Sequence, residues 1–255
     1  MPCCIATFTC ARDAPLMPIH AAAIRRILPT AGLLYITPEG EQSAFPSGAL
    51  HQYRAQLITS TWPRGDRLSG APAIIGILET LAAIARATSR PIIKLDTDTI
   101  LRRTDWLTPI HTGAAHYIGF ESWQPSLPTG ACYALSPTAA AAMAAAANPW
   151  PWRDSTDHLP EDRTIYLTAL RTLGSAAYLI PWNPAAGQPI PPRVLGFDPI
   201  FHSAPEHIPP HAAAIHCAEH PQLHLWQQLN LNRTHQVARA MRAALRSIPT
   251  KKAPR

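Results

Sequence analysis

Two aspartates, Asp96 and Asp98, stand two residues apart directly behind the apolar run at 92–95 (IIKL). Carboxylates at that spacing can gather oxygen atoms around one hard divalent cation. Magnesium and manganese take such ligands, together with waters and phosphates. A cation held there would neutralise a departing diphosphate, which is Lewis-acid catalysis. The same letters arise from a solvated or helix-capping pair at a strand–helix junction, because D-x-D is a short motif. Position favours the first reading: the pair closes a strand late in an alternating α/β half, where open sheets bind ligands.

A second acidic pair, Glu161-Asp162, follows Pro160. A carboxylate can take the proton of an attacking hydroxyl, while proline and two acids equally suit the first turn of a helix. His216 closes the short apolar run 213–216 and can offer an imidazole nitrogen to manganese, or sit as a plain buried histidine. His220 and His224 continue its spacing of four, but Pro221 breaks a helical metal stripe, since the residue before proline resists helix. Arg12 and Arg67 are candidates for bidentate pairing with phosphate. Trp123, Trp150 and Trp152 offer flat apolar faces to a sugar ring or a base, and fit as core anchors too.

The elements that must position these groups alternate. Residues 4–9 (CIATFT) and 33–37 (LLYIT) are β-prone runs, 57–61 is a weaker one, and 91–95 leads into Asp96. Between them, 18–28 and 72–87 carry helical periodicity with proline in the first turn. Further on, 115–120 and 131–135 read as strands, and Ser136-Pro137 opens an alanine-rich helix over 139–147. Residues 164–173 form a helix stopped by Gly174, 178–180 and 213–216 are short strands, and 223–247 holds one or two further helices. This pattern predicts an α/β fold with a mixed, mostly parallel central sheet flanked by helices.

Composition bounds the function classes. Charged residues are only 15% and apolar residues 47%, which excludes a disordered chain. No apolar run approaches the roughly 18 residues of a membrane helix, so no transmembrane segment is expected. Five cysteines without CxxC spacing read as reduced thiols, and the first residues show no signal peptide, which together predict a cytoplasmic protein. The net charge of +6 attracts anions, but dispersed arginines without interleaved aromatics do not suggest nucleic acid.

Four landmarks in order then carry a family resemblance. They are the D-x-D of Asp96 and Asp98, the stretch Gly130-Ala131-Cys132-Tyr133-Ala134-Leu135-Ser136, the acidic Leu159-Pro160-Glu161-Asp162, and Ile215-His216-Cys217. Together they resemble the GT-A-fold glycosyltransferases that use nucleotide-diphospho-sugars, nearest in motif order to the galactosyltransferase and fringe-like branch. Cys132 stands where that branch carries a second glycine, and residues 1–70 match no motif of the family.

The resemblance implies a single GT-A-like domain over 1–255, with a nucleotide-binding half at 1–100, an acceptor half at 101–222, and a C-terminal helix and basic tail at 223–255. It implies Mn2+ or Mg2+ held by Asp96, Asp98 and His216, with Asp96 and Asp98 also meeting the donor. Asp162 becomes the catalytic base of an inverting transfer, with Glu161 second in line. Trp123, Gly130 and Tyr133 fall at the substrate, and Arg12 and Arg67 near the donor. A UDP-sugar donor and a glycan or small-molecule hydroxyl acceptor are the implied partners. Two alternatives stay open: a non-catalytic sugar-nucleotide-binding domain, and a haloacid-dehalogenase-like phosphohydrolase. The second lacks its expected later lysine, since the next lysine after Lys94 is Lys251.

Overall fold

The computed structural model describes residues 2–63, 70–121, 128–147, 160–180, 213–217 and 233–248. Strand β1 (Cys4–Phe8) is buried along its whole length, as a central strand covered on both faces must be. It pairs in parallel with β2 (Gly32–Pro38), β2 with β3 (Ala55–Ser60), and on its other side β1 pairs in parallel with β4 (Ile92–Leu95). Strand β5 (Thr99–Leu101) belongs to a separate small sheet. The main sheet continues through β6 (Tyr117–Phe120), β7 (Cys132–Leu135) and β8 (Ala177–Ile180). Its order is β3-β2-β1-β4-β7-β6-β8, and β7 runs antiparallel to both its neighbours. The architecture is the expected one, a mixed and mostly parallel sheet flanked by helices.

Alternation along the strands divides the core into two faces. Ile5, Leu33, Tyr35 and Ile93 meet α1 (Met17–Ile27) and the segment around Trp106 on one side. Cys4, Ala6, Leu34 and Ile92 meet α3 (Ala71–Thr88), α5 (Pro137–Ala147) and α6 (Glu161–Leu173) on the other. Two short helices, α2 (Ser47–Gln52) and α4 (Thr108–Thr112), were not expected from periodicity, being under two turns long. A third cluster joins β5 to its antiparallel partner β9 (Ala214–His216) and to the last described helix, Arg233–Ser247, through Ile100, Ile215, Val237 and Met241. Of the helical segment expected over 223–247, this helix is the described part; 223–232 lie outside the described residues.

Helix α3 packs as a core element. Its 18 residues, with a mean hydropathy of 1.4, are long and apolar enough by composition to cross a membrane. Ile74, Ile77, Leu78 and Leu81 are all buried in the core against the sheet and α5, so within this fold it is a core helix. Its interior glycine has a packing reason: a Cβ on Gly76 would come to 2.3 Å from the Trp62 ring, which lies across the helix. Helix α5 is capped as expected, with the Ala139 amide donating to Ser136 Oγ at 3.1 Å.

Candidate functional site

Strand β1 has β2 on one flank and β4 on the other. The chain leaves β1 toward β2 and β3, then returns across to β4, so the winding direction reverses between β1 and β4. Ligands of open α/β sheets bind at the carboxyl ends of the strands at such a reversal. Four segments converge there: Thr9 to Arg12 behind β1, Glu41 behind β2, Asp96 to Asp98 behind β4, and Thr129 to Ala131 ahead of the reversed strand β7.

Backbone hydrogen bonds fix these segments. The Ala11 amide donates to Glu41 Oε2 at 2.5 Å, tying the first two loops together. The Asp96 amide donates to Ala131 O at 2.9 Å, and the Thr99 amide donates to Asp96 O at 3.0 Å. The D-x-D is therefore a tight turn between β4 and β5, and not a strand–helix junction. The Cys217 amide donates to Asp98 O at 2.9 Å, and His216 stands opposite Thr99 in the β5–β9 ladder. The two outer landmarks of the sequence thus meet in space at backbone level.

The acidic pairs meet as well, across a lysine that sequence reasoning left unused. Lys94 Nζ lies 2.8 Å from Asp96 Oδ1 and 2.9 Å from Glu161 Oε1, and donates to Gly130 O at 2.5 Å. Its side chain is fully buried, whereas that of Asp96 is 29% exposed and that of Glu161 10%. The Tyr133 ring lies 5.6 Å from the ammonium and stacks on Tyr117, so Tyr133 is a core residue beneath Lys94. Glu161 and Asp162 occupy the first turn of α6 and flank Gly130, whose Cβ position would be 3.4 Å from Asp162 Cβ and 3.6 Å from Glu161 Oε2.

The electrostatics follow from one ammonium facing three carboxylates. Burial opposes the Lys94 charge, but Asp96 and Glu161 outweigh it and raise its pKa, so it stays protonated. Burial raises the Glu161 carboxyl against the pull of Lys94, with Asp96 adding to the rise. Burial likewise raises Asp162, while the Arg163 amide, donating to Asp162 Oδ1 at 2.7 Å, and Lys94 pull it back. A carboxyl raised in this way is the better proton acceptor at neutral pH.

Sequence reasoning also missed a group of threonines. Thr7, Thr37, Thr97 and Thr99 are buried, and among the described residues their hydroxyls have no hydrogen-bond partner. All four lie on the segments at the carboxyl edge of β1, β2 and β4. Buried hydroxyls ordinarily find partners, so a row of orphans marks a place built for a polar group. The available signal was the spacing of threonine at 7, 37, 97 and 99, which reads locally only as strand propensity.

His20, on α1 beneath this edge, is fully buried and its Nδ1 lies 2.8 Å from the Tyr35 hydroxyl. Burial drives its pKa down to about 3, with Asp98 pulling the other way. The unfolded chain, near 6.5, takes up the proton first. His20 therefore contributes its full stability above about pH 6.5 and loses it as pH falls toward 3, by at most about 1.4 kcal/mol per pH unit. Unfolding in urea from pH 7 to pH 4 should show the gap between wild type and His20→Gln closing as pH falls; a constant gap would contradict this.

The other sequence candidates fall as follows. Arg12 follows β1, is 66% exposed, pairs with Asp13 at 3.2 Å and senses the Asp98 charge. His216 is placed by its backbone in β9, and its side chain lies outside the described residues. Arg67, Trp123, Trp150 and Trp152 also lie outside them. All five cysteines are free, and burial raises the thiols of Cys3, Cys132 and Cys217.

Among the described residues, no group of three or more histidine, cysteine, aspartate or glutamate side chains converges as a metal cage. Asp96 and Asp98 supply hard oxygen donors from one turn at the crevice edge. Two carboxylates completed by phosphate oxygens and waters is an arrangement magnesium takes readily, so the residues present fit such a cation.

No protein-family model matches the chain, and no curated protein does. Among solved structures, the chain is similar to mouse xyloside xylosyltransferase 1 in its apo form, at 10% identity and a TM-score of 0.48, over 85% of this chain and 97% of that one. It is similar to a glycosyltransferase involved in glycosylation of the major capsid of PBCV-1, at 13% identity and a TM-score of 0.47, over 92% and 98%. A cytidylyltransferase from Leptospira borgpetersenii serovar Hardjo-bovis (strain JB197) matches at 10% identity and a TM-score of 0.42, over 72% and 76%. The fold assignment rests on strand order and register.

Proposed function

We propose that this chain is a metal-dependent glycosyltransferase that moves a sugar from a nucleotide diphosphate, a UDP-sugar by preference, to a hydroxyl acceptor with inversion. The observation that carries the reading is the meeting of Asp96, from the D-x-D turn, with Glu161, from the start of α6, on Lys94 at the carboxyl edge of the sheet where its winding reverses. On this reading one site would hold both the oxygens for a hard cation and a raised carboxyl for proton abstraction.

Asp96 and Asp98 would hold the cation, with His216 as a third candidate ligand. When bound, the cation supplies neutralising charge to the leaving diphosphate. Arg12 stands at the edge of the same crevice to meet phosphate. Asp162 takes the proton of the acceptor hydroxyl as its oxygen bonds to the anomeric carbon. The anomeric carbon–oxygen bond breaks on the opposite face, and its electron pair leaves with the nucleoside diphosphate.

Incubation with a panel of UDP- and GDP-sugars, manganese and simple glycoside acceptors tests the reading through release of nucleoside diphosphate. Release from one donor, abolished by chelation, is the expected result. Intact nucleotide binding without release from any donor would mark a non-catalytic sugar-nucleotide-binding domain instead.

A further inference from the structure

Lys94 is a charged residue in the middle of a buried strand, a position that costs free energy unless the charge is fully partnered. Its ammonium has three N–H donors and three oxygen neighbours: Asp96 Oδ1, Glu161 Oε1 and Gly130 O. These come from three different elements, namely the turn behind β4, the start of α6 and the loop ahead of β7. Lys94 and Asp96 share a strand face because they are two residues apart. The side chain is sealed from water, so no solvent molecule substitutes for it.

Resting on the donor-site reading above, we propose that Lys94 is a positioning residue that divides labour among the three carboxylates around it. It takes Asp96 Oδ1 inward, which fixes the side chain and leaves Oδ2 for a ligand in the crevice. It engages Glu161 as an anchor, so that Asp162 is the member of the acidic pair left to accept a proton. It also joins the donor half of the site to the helix carrying the base.

The test compares Lys94→Met with the pair Lys94→Met/Glu161→Gln. The single variant leaves two carboxylates facing each other without a cation and is expected to lower Tm. The pair removes that imbalance and is expected to regain most of it. Manganese-dependent UDP affinity, read by calorimetry, should nevertheless remain about 10–100-fold weaker in the pair than in wild type, the usual cost of losing a residue that orients a metal ligand. If the pair regains both Tm and UDP affinity, Lys94 is a structural cation only and the proposal is overturned. Failure of the pair to fold overturns it too, because Lys94 would then be a requirement of the fold. Wild-type protein that binds no nucleotide with any metal would sink the donor-site reading itself, and this inference with it.

Discussion

Asp162→Asn is expected to lower turnover by about 10²–10⁴-fold, the usual contribution of a positioned general base, with little change in nucleotide affinity. The substitution keeps the side-chain shape and an oxygen that can accept from the Arg163 amide, now 2.7 Å away, so α6 keeps its start. What it removes is the ability to take a proton. Asp162 sits beside Gly130 and is raised by burial, which places a partly desolvated carboxylate at the edge of the site. The sign of the pH dependence follows. A base must be deprotonated, so wild-type activity falls as pH drops through the Asp162 pKa, and the upward shift puts that acid limb above the ordinary carboxylate range near 3.9. Stopped assays of wild type and Asp162→Asn across pH check both points. A loss of less than about ten-fold would shift the role of base to Glu161 and contradict the assignment made here.

Asp98→Ala carries the second large effect: loss of metal-dependent nucleotide binding with the fold intact. The turn that holds Asp98 is secured by its backbone, through the Cys217 amide and the β5–β9 ladder, neither of which needs the carboxylate. Removing the side chain therefore deletes one oxygen donor while these backbone bonds remain. Asp96, already committed through Oδ1 to Lys94, would then be the one carboxylate of the turn left to the cation. Thermal unfolding of Asp98→Ala close to wild type, combined with UDP binding indifferent to manganese, is the expected pair of results. Undiminished manganese-dependent binding would remove Asp98 from the ligand set.

The first half of the fold was legible because its signals are local. Apolar runs of strand length alternate with helical periodicity from residue 4 to 95, and each predicted element reappears within a few residues of its place. The second half yielded less because its decisive features are long-range. Nothing near β7 states that it runs antiparallel, and β5 is three residues whose partner β9 lies far along the chain. That missing strand is why the D-x-D could be read as a strand–helix junction.

The candidate site was legible in its acids and not in what organises them. Asp96, Asp98, Glu161 and Asp162 stand out as paired letters. Lys94 inside IIKL looks like one polar residue in an apolar strand, and only the arrival of Glu161 from α6 gives its charge a reason. The threonines were hidden for the converse cause, since threonine in a strand satisfies β-propensity and invites no further question. Tyr133, expected at the substrate, is buried and stacked on Tyr117 beneath Lys94, a placement set by β7 pairing with β4.

Calorimetric titration of UDP and of GDP, each with and without manganese, into wild type and Asp98→Ala tests the central claim most directly. One nucleotide, UDP by preference, is expected to bind wild type only when the metal is present, and this binding is expected to be lost in Asp98→Ala. Wild-type protein that binds neither nucleotide under any metal condition would contradict it, and the turn at Asp96 to Asp98 would then be a structural feature of the sheet.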